Sequence, residues 1–490
     1  MLYGSGNKIY ARGGYAVNAV DRYNPLNLPP YTMRFQFDSE SYVPYTPSKP
    51  GATMTRVSSS PNVWDFYYPN SDWSGLFAFT SNYSVLGANT SGVVNMAGMF
   101  GNTWLSYLKS VTLFDTSSVT DMSYMFYSCR LLTSVPLFDT SSVTNMSRMF
   151  YNCRLLTSVP LFDTSSVTNM EKMFMDCYSL QSVTLLDTSS VTNMEDMFFE
   201  CSSLESVSLP DTSSVTNMYA MFCYCSSLTS VSLPDTSSVT DMYRMFSGCS
   251  SLTSISLPDT SSVTDMEGMF LNCSSLTSVS LPDTSSVTNM EEMFYGCSSL
   301  QSVPLFNTSS VTNMIRMFYG CSSLTSVPLF NTSSVTNMAS MFYYCSSLTS
   351  VPLFDTSSVT NMGLMFLGCS SLQSVPLFDT SSVTDMHSMF SSTSLQSVPL
   401  FDTSSVTNMR TMFYECSSLI SVPLLDTSSV TNMENMFFEC INVENGAYNL
   451  YRQASNQTTP PSNHSAAFRN CGSNTVTGAA ELAQIPDDWK

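Results

Sequence analysis

The chain has 490 residues, enough for several domains or one long array. Hydrophobic residues make up 43% and charged residues 11%, which excludes a disordered polymer. Lys+Arg total 17 against 37 Asp+Glu, a net charge of −20, and no basic cluster occurs, so binding to nucleic acid or to an anionic membrane surface is disfavoured.

The N-terminal stretch "MLYGSGNKIYARGGY" lacks a continuous apolar run, so no signal peptide is expected. No apolar run reaches the roughly 18 residues a membrane span needs, so no membrane insertion is expected. Residues 1–30 read as an extended arm ending in the stiff link "NPLNLPP" (24–30). Residues 31–88 read as a small β module and N-terminal cap, with strands at "YTMRFQF" (31–37) and "NVWDFYY" (62–68). Trp64, Trp73, Trp104 and Trp489 all lie outside the regular repeats that follow, as bulky capping residues would.

From residue 89 to 440 one sentence returns. The residue opening "TSSVT" falls at Asp115, Asp139, Asp163, Asp187, Asp211, Asp235, Asp259, Asp283, Asn307, Asn331, Asp355, Asp379, Asp402 and Asp426. The spacing is 24 residues except between Asp379 and Asp402, where it is 23, and a degenerate copy starts at Asn89. In "LLTSVPL" (131–137), Leu132, Val135 and Leu137 suit a short strand with one buried face. In "VTNMSRMF" (143–150), Met146, Met149 and Phe150 suit one helical or 3₁₀ turn. No copy can cover its own apolar face, whereas stacked copies can, so the fold class is a repeat solenoid of about fourteen regular turns.

Cysteines recur with the repeat from Cys129 to Cys440, with Cys223 and Cys471 as extras and the short copy lacking one. Parallel, identical thiols suit a buried reduced column better than disulfides or zinc. No metal and no other cofactor is expected. The Asx residue opening each turn can accept an N–H two residues on, and Asn serves as well as Asp. The alternative is a column that binds cations.

Two columns vary between copies. The pair after "NM" or "DM" accepts charge, glycine and aromatics, so it is expected to face solvent; Tyr124, Arg148, Lys172, Arg244 and Arg316 are its candidate contacts. The column after "MF" holds Tyr127, Tyr151, Tyr295, Tyr319, Tyr343 and Tyr414, which either cover the edge of the stack or meet a ligand. Residues 441–490 read as a C-terminal helical cap, with helices at 444–456 and 477–485.

Only two histidines occur, and no P-loop, dinucleotide fingerprint or nucleophile elbow, so no enzyme is expected. The pattern L-x-x-V-x-L followed by V-T-N-M-x-x-M-F-x-x-C resembles the BspA-like leucine-rich-repeat surface proteins over residues 89–440. The flanks "YNPLNLPPYTMRFQF", "SSPNVWDFYY" and "TVTGAAELAQIPDDW" resemble the ends of such proteins from gut bacteriophage genomes. That resemblance implies an extended interaction scaffold on a virion or extracellular surface, as a tail fibre or decoration. Its partners would be host-surface glycan or protein and, through the N-terminal region, other virion proteins. A bacterial or protist adhesin and a glycan-cleaving spike are the alternatives.

Overall fold

The computed structural model describes residues 24, 26–101 and 106–490, together with the backbone of three short strands, β1 (Tyr3–Gly4), β2 (Lys8–Tyr10) and β3 (Ala16–Asn18). Those strands pair antiparallel in the order β1-β2-β3, where the composition suggests an extended arm. Trp104 and most of residues 1–23 lie outside the described residues. The chain forms two compact units, Met1–Ser238 and Val239–Lys490.

In the first unit a five-stranded sheet precedes the repeats. Its strands are β4 (Thr32–Phe37), β5 (Thr53–Ser59), β6 (Asn62–Tyr67), β7 (Tyr83–Asn89) and β8 (Leu108–Val111), in the order β5-β6-β4-β7-β8. Met33, Phe35 and Phe37 alternate inward along β4 and meet Phe66, Phe77, Phe79 and Tyr83 in a dry aromatic cluster. Between them Arg34 points to the other face and pairs with Asp65 across the strands at 2.6 Å. Only β7-β8 is parallel, and there the sheet passes into the parallel stacking of the repeats.

Each repeat is a rung whose backbone hydrogen bonds run mainly to its neighbours. Met146, Arg148, Phe150 and Asn152 donate to the carbonyls of Asn169, Glu171, Met173 and Met175 in the next rung, at 2.7–3.1 Å. Met149, Tyr151 and Cys153 instead donate back within the rung, to residues three earlier. The cause is conformational. Arg148 (φ 55°) and Asn152 (φ 58°) are left-handed, and the equivalent two positions are left-handed in every regular copy. Interrupting right-handed residues with left-handed ones stops a helix from propagating and turns alternate N–H groups the same way. Few of these positions are glycine, although Gly248, Gly296, Gly320 and Gly368 fill the second of them. A left-handed non-glycine residue costs about 1–2 kcal/mol, and glycine returns about 0.5–1 of that as chain entropy. Glu415→Gly (φ 57°, exposed) is therefore expected to raise stability by about 0.5–1 kcal/mol, read as a shift in urea midpoint.

The core is a set of ladders. The valine of "SVT" and the two methionines and phenylalanine that follow it in each copy, such as Val143, Met146, Met149 and Phe150, are buried, none more than 3% exposed. Phe126, Phe150, Phe174, Phe198 and Phe222 stack face to face at 5.4–5.6 Å in the first unit. Phe270, Phe294, Phe318, Phe342 and Phe366 do so at 5.5–5.7 Å in the second.

Ladder-forming strands are few: β9 (Ser182–Thr184) with β10 (Ser206–Ser208), and β11 (Ser254–Ser256) with β12 (Ser278–Ser280), both parallel. These copies read "SVT", "SVS" or "SIS", whereas copies reading "SVP" form no such strand. Proline has no N–H to give to the ladder. The same residue corrects the inward placement of Leu137. In "VPLFDT" Leu137 is 48% exposed and Phe138 is buried, while in "VSLPDT" Leu209 is buried as strict alternation demands. Without the ladder bond the chain turns by one residue, and the larger phenyl ring takes the inside place.

The rungs also extend beyond the regular copies. Asp72, Trp73, Gly75 (φ 62°), Leu76 and Phe77 occupy the places of Asn, Met, the left-handed residue, Met and Phe. Asp72 bridges Asn95, and Trp73, Gly75 and Phe77 donate to Asn95, Ala97 and Met99 at 2.8 Å. At the other end "NHSAAFRNC" (463–471) is a rung as well: Asn463 bridges Asn432, Ala466 and Asn470 are left-handed, and Phe468 stacks on Phe437 at 5.6 Å. Helix α1 (Ala447–Ser455) is inserted before it, and α2 (Val476–Leu482) follows. Thr475 caps α2 by accepting from the Gly478 N–H. Glu481, on α2, accepts from the N–H groups of Gly446 and Tyr448 and so caps α1.

Candidate functional site

Repetition gives the molecule columns rather than a single pocket, so the site is built column by column. Each of the fourteen Asx residues from Asp115 to Asp426 accepts, on Oδ1, the N–H two residues on, such as Ser117 on Asp115 at 3.0 Å and Ser309 on Asn307 at 3.2 Å. The threonine that follows is buried and donates its hydroxyl to the next rung, as Thr116 does to the Asp139 carbonyl at 2.7 Å. A second Asx ladder, unremarked in the sequence pattern, does the same at the "NM" position; Asn145 accepts from Ser147 and Asp121 from Ser123.

Hydrogen bonds from the following serine hold Asp187, Asp259, Asp355, Asp379 and Asp402 below the usual carboxylate range. A carboxylate with a depressed folded-state pKa contributes stability that is present above the unfolded value of about 3.9 and is lost as pH falls through the folded value. The melting temperature is therefore expected to drop below about pH 4, and the fivefold Asp→Asn variant at these positions to flatten that drop. The neighbouring charges of Asp355 and Asp402 oppose Asp379, so added salt is expected to raise the melting temperature of the parent at neutral pH. A melt series in pH and ionic strength checks both.

The cysteine column is buried and holds no disulfide. Its thiols donate to phenylalanine carbonyls of the preceding rung, as Cys153 does to Phe126 at 3.1 Å and Cys321 to Phe294 at 3.1 Å. Burial pushes Cys129 and Cys369 up to about 12, so thiolate chemistry is suppressed. In the short copy Thr393 fills the vacant place and donates to Phe390 at 2.8 Å. Cys471 belongs to the column as its end member, in the rung at 463–471, and is likewise pushed up to about 12 by burial. Among the described residues no group of three His, Cys, Asp or Glu side chains is placed to hold a metal.

The variable pair does not simply face solvent. Ser123, Ser147, Asp196, Ala220 and Ser340 are buried, because side chains of successive rungs lie on one another. Lys172 sits among Glu171, Glu195 and Asp196 at 3.0, 2.6 and 3.2 Å. Burial lowers its pKa, but the hydrogen bonds its ammonium donates to Glu195 and Glu171 outweigh that and raise it. Arg148 pairs with Glu171 and lies over the Tyr124 ring at 5.3 Å. Arg316 pairs with Glu292 at 3.1 Å, and Arg244 approaches the same carboxylate at 3.8 Å. These cations answer neighbouring carboxylates, leaving little charge for a ligand.

The tyrosine column is stacked on itself. Tyr295, Tyr319 and Tyr343 lie at 4.3 Å with interplanar angles of 6–8°, and Tyr127 lies on Tyr151 at 4.7 Å. Tyr414 lies on Phe438 at 4.9 Å. Burial and the adjacent phenols Tyr343 and Tyr295 raise the Tyr319 pKa. The inner rings give their faces to each other, so what they present outward is edges and hydroxyls. Tyr319, with a ring on each side, has no free face for a sugar ring to stack on.

The apolar surface lies elsewhere. In the second unit Leu305, Leu329, Leu353, Leu377, Leu400 and Leu424 form one column, each 55–67% exposed. They are the leucines displaced outward in the "VPLF" and "VPLL" copies. The buried rings beside them, Phe306, Phe330 and Phe354, are spaced at 6.0 and 6.4 Å, wider than the hydrogen-bonded tyrosine edge. The signal in the sequence was the proline, which marks every copy in which this leucine turns out.

A family profile described as "Mycoplasma protein of unknown function, DUF285" matches residues 72–182, 131–231, 202–301, 274–374 and 349–451. A comparison with curated proteins finds no match. Among solved structures, a leucine-rich-repeat protein from Eubacterium ventriosum is 18% identical, over 71% of this chain and 93% of that one, with a TM-score of 0.41. One from Leptospira interrogans is 12% identical, over 66% and 74%, with a TM-score of 0.23. The functional domain of InlJ from Listeria monocytogenes, described as including a cysteine ladder, is 16% identical, over 63% and 66%, with a TM-score of 0.22. The first profile match opens at Asp72, where the rung ladder opens, and with matches running to residue 451 the chain belongs to the DUF285 family, the BspA-like leucine-rich-repeat proteins.

Proposed function

We propose that this leucine-rich-repeat scaffold is a non-enzymatic virion component of a bacteriophage, a tail fibre or decoration element, that attaches to protein or glycan on the host surface. The observation that carries the attachment reading is the leucine column from Leu305 to Leu424. Six large apolar side chains held in a row in water are a standing cost unless something covers them. Their regular spacing suits many weak contacts that add through avidity. The flanking segments, which resemble the ends of phage-encoded members of the family, support the virion reading. The N-terminal sheet would then meet other virion proteins.

The test has two arms. Antibody against the chain should decorate purified particles. The labelled chain should bind host cells, and the triple variant Leu353→Ser, Leu377→Ser, Leu400→Ser should lose that binding while keeping its melting temperature. Label confined to bacterial or protist cells would move the protein to a cell-surface adhesin. Release of reducing ends from host capsule would make it a cleaving spike.

A further inference from the structure

The first unit carries a cleft of about 310 Å³ lined by Tyr178, Glu200, Ser202, Tyr224 and Ser226. It arises where two columns change size over three rungs. In the column after each cysteine, Tyr178 is followed by the small Ser202 and Ser226; in the left-handed column before it, Asp176 and Glu200 are followed by Tyr224. Two rings thus stand as walls and two serines make the floor. Tyr224 is 48% exposed and is braced edge-on by Phe199 at 5.8 Å. Arg154 lies over the Tyr178 ring at 5.2 Å, outside the lining.

Apart from the Tyr224 hydroxyl, the polar side-chain atoms of the cleft are left as acceptors. The Tyr178 hydroxyl donates to Glu200 Oε2 at 3.2 Å. Ser202 donates to the Tyr178 carbonyl at 3.5 Å, and Ser226 to the Ser202 carbonyl at 3.2 Å. Their protons are engaged, so their lone pairs face the space, beside a carboxylate. No cation lines the cleft. Asp176, in the adjoining rung, is pushed up first by burial and then by the charge of Glu200, against the pull of Arg154, so here two carboxylates face one guanidinium.

We infer that this cleft binds a primary ammonium group on an apolar stem, the ammonium hydrogen-bonded to Glu200 and the serine oxygens and the stem held between Tyr178 and Tyr224. An anion would meet the Glu200 carboxylate and two serine oxygens whose protons are spent, with only the Tyr224 hydroxyl able to donate. A neutral hydroxyl would forgo the charge assistance that roughly doubles such a bond, and the tyrosine faces favour a cation over a neutral group. A lysine side chain and an amino sugar share this chemistry. The inference stands apart from the virion reading, because it concerns the first unit and is measured on the chain alone.

Calorimetric titration of the full chain tests it, with N-acetyl-lysine methylamide and glucosamine as probes and their N-acetylated forms as controls. At least one ammonium probe should bind at millimolar concentration or tighter, and its acetylated form about tenfold or more weaker. A preference for the lysine probe points to a protein ligand and a preference for glucosamine to a glycan; either supports the inference. Glu200→Gln should lose about tenfold in affinity and Ser202→Leu should fill the floor and abolish binding, both with unchanged melting curves. If one variant fails to fold, the other decides. Equal binding of the acetylated forms, no binding of either probe at tens of millimolar, or full affinity in a folded Glu200→Gln protein would overturn it.

Discussion

Phe342→Ala is expected to lower the stability of the second unit by about 3–5 kcal/mol, the range for losing a buried phenyl ring. Phe342 is fully buried and lies parallel to Phe318 and Phe366, at 5.7 Å on each side, with Phe354 at 6.4 Å. The void cannot close, because the rungs above and below are held at fixed spacing by backbone bonds such as Phe342 N–H to the Met365 carbonyl at 2.9 Å. In a stack, each rung is stable only through its neighbours, so the loss weakens two interfaces at once. Urea unfolding followed by circular dichroism should show a lowered midpoint and a broader or split transition. Phe342→Leu, which keeps most of the volume, is expected to cost well under half as much. An alanine variant within about 1 kcal/mol of the parent would mean the phenylalanine column is not the core.

That column was legible in the sequence because the same residue recurs at the same place, so Met146, Met149, Phe150 and Cys153 needed no structure to be read as buried. Leu137 was not legible. Strand alternation from Val135 predicts it inside, and alternation holds where the next residue can bond, as at Leu209; proline at 136 removes the bond and Phe138 takes the place. The left-handed backbone was marked only in part: Gly248, Gly296, Gly320 and Gly368 hint at its second position, but Arg148, Lys172 and Tyr224 are not residues that announce a positive φ. Buried members of the variable pair, such as Ser147 and Asp196, have a related cause: variety at a position reflects side chains lying on their own neighbours as much as on water. The end rungs were hidden by substitution. Trp73 and Leu76, or His464 and Ala467, stand where methionines stand elsewhere, and only Asp72 with Phe77, and Asn463 with Phe468 and Cys471, preserve the frame. The cleft at Glu200 depends on which large and small residues fall in adjacent rungs, a two-dimensional pattern that a reading along the chain does not display.

Trp489→Ala is expected to destabilise the C-terminal rung by about 3–5 kcal/mol while leaving distant rungs unchanged. The reason lies in the direction of the backbone. Because alternate N–H groups all point toward the following rung, the last regular copy ends with Met433, Asn435, Phe437 and Glu439 pointing at whatever comes next. They donate to Asn463, Ser465, Ala467 and Arg469 at 2.7–2.9 Å. That segment has lost both methionines, so it cannot bury itself as a regular rung does. Trp489 supplies the missing cover: its ring lies on His464 at 4.1 Å and near Phe468 at 6.3 Å, and its carbonyl accepts from the Phe468 N–H at 2.9 Å. Removing the ring uncovers the rung, and four donors then depend on a segment with little to hold it. Native-state hydrogen exchange should report this directly. The amides of Met433, Asn435, Phe437 and Glu439 should exchange about 10²–10³-fold faster in the variant, while that of Phe342 keeps its protection. Uniform acceleration at all five would mean that the unit opens as a whole, and unchanged rates at the first four would mean that the tryptophan does not close this end.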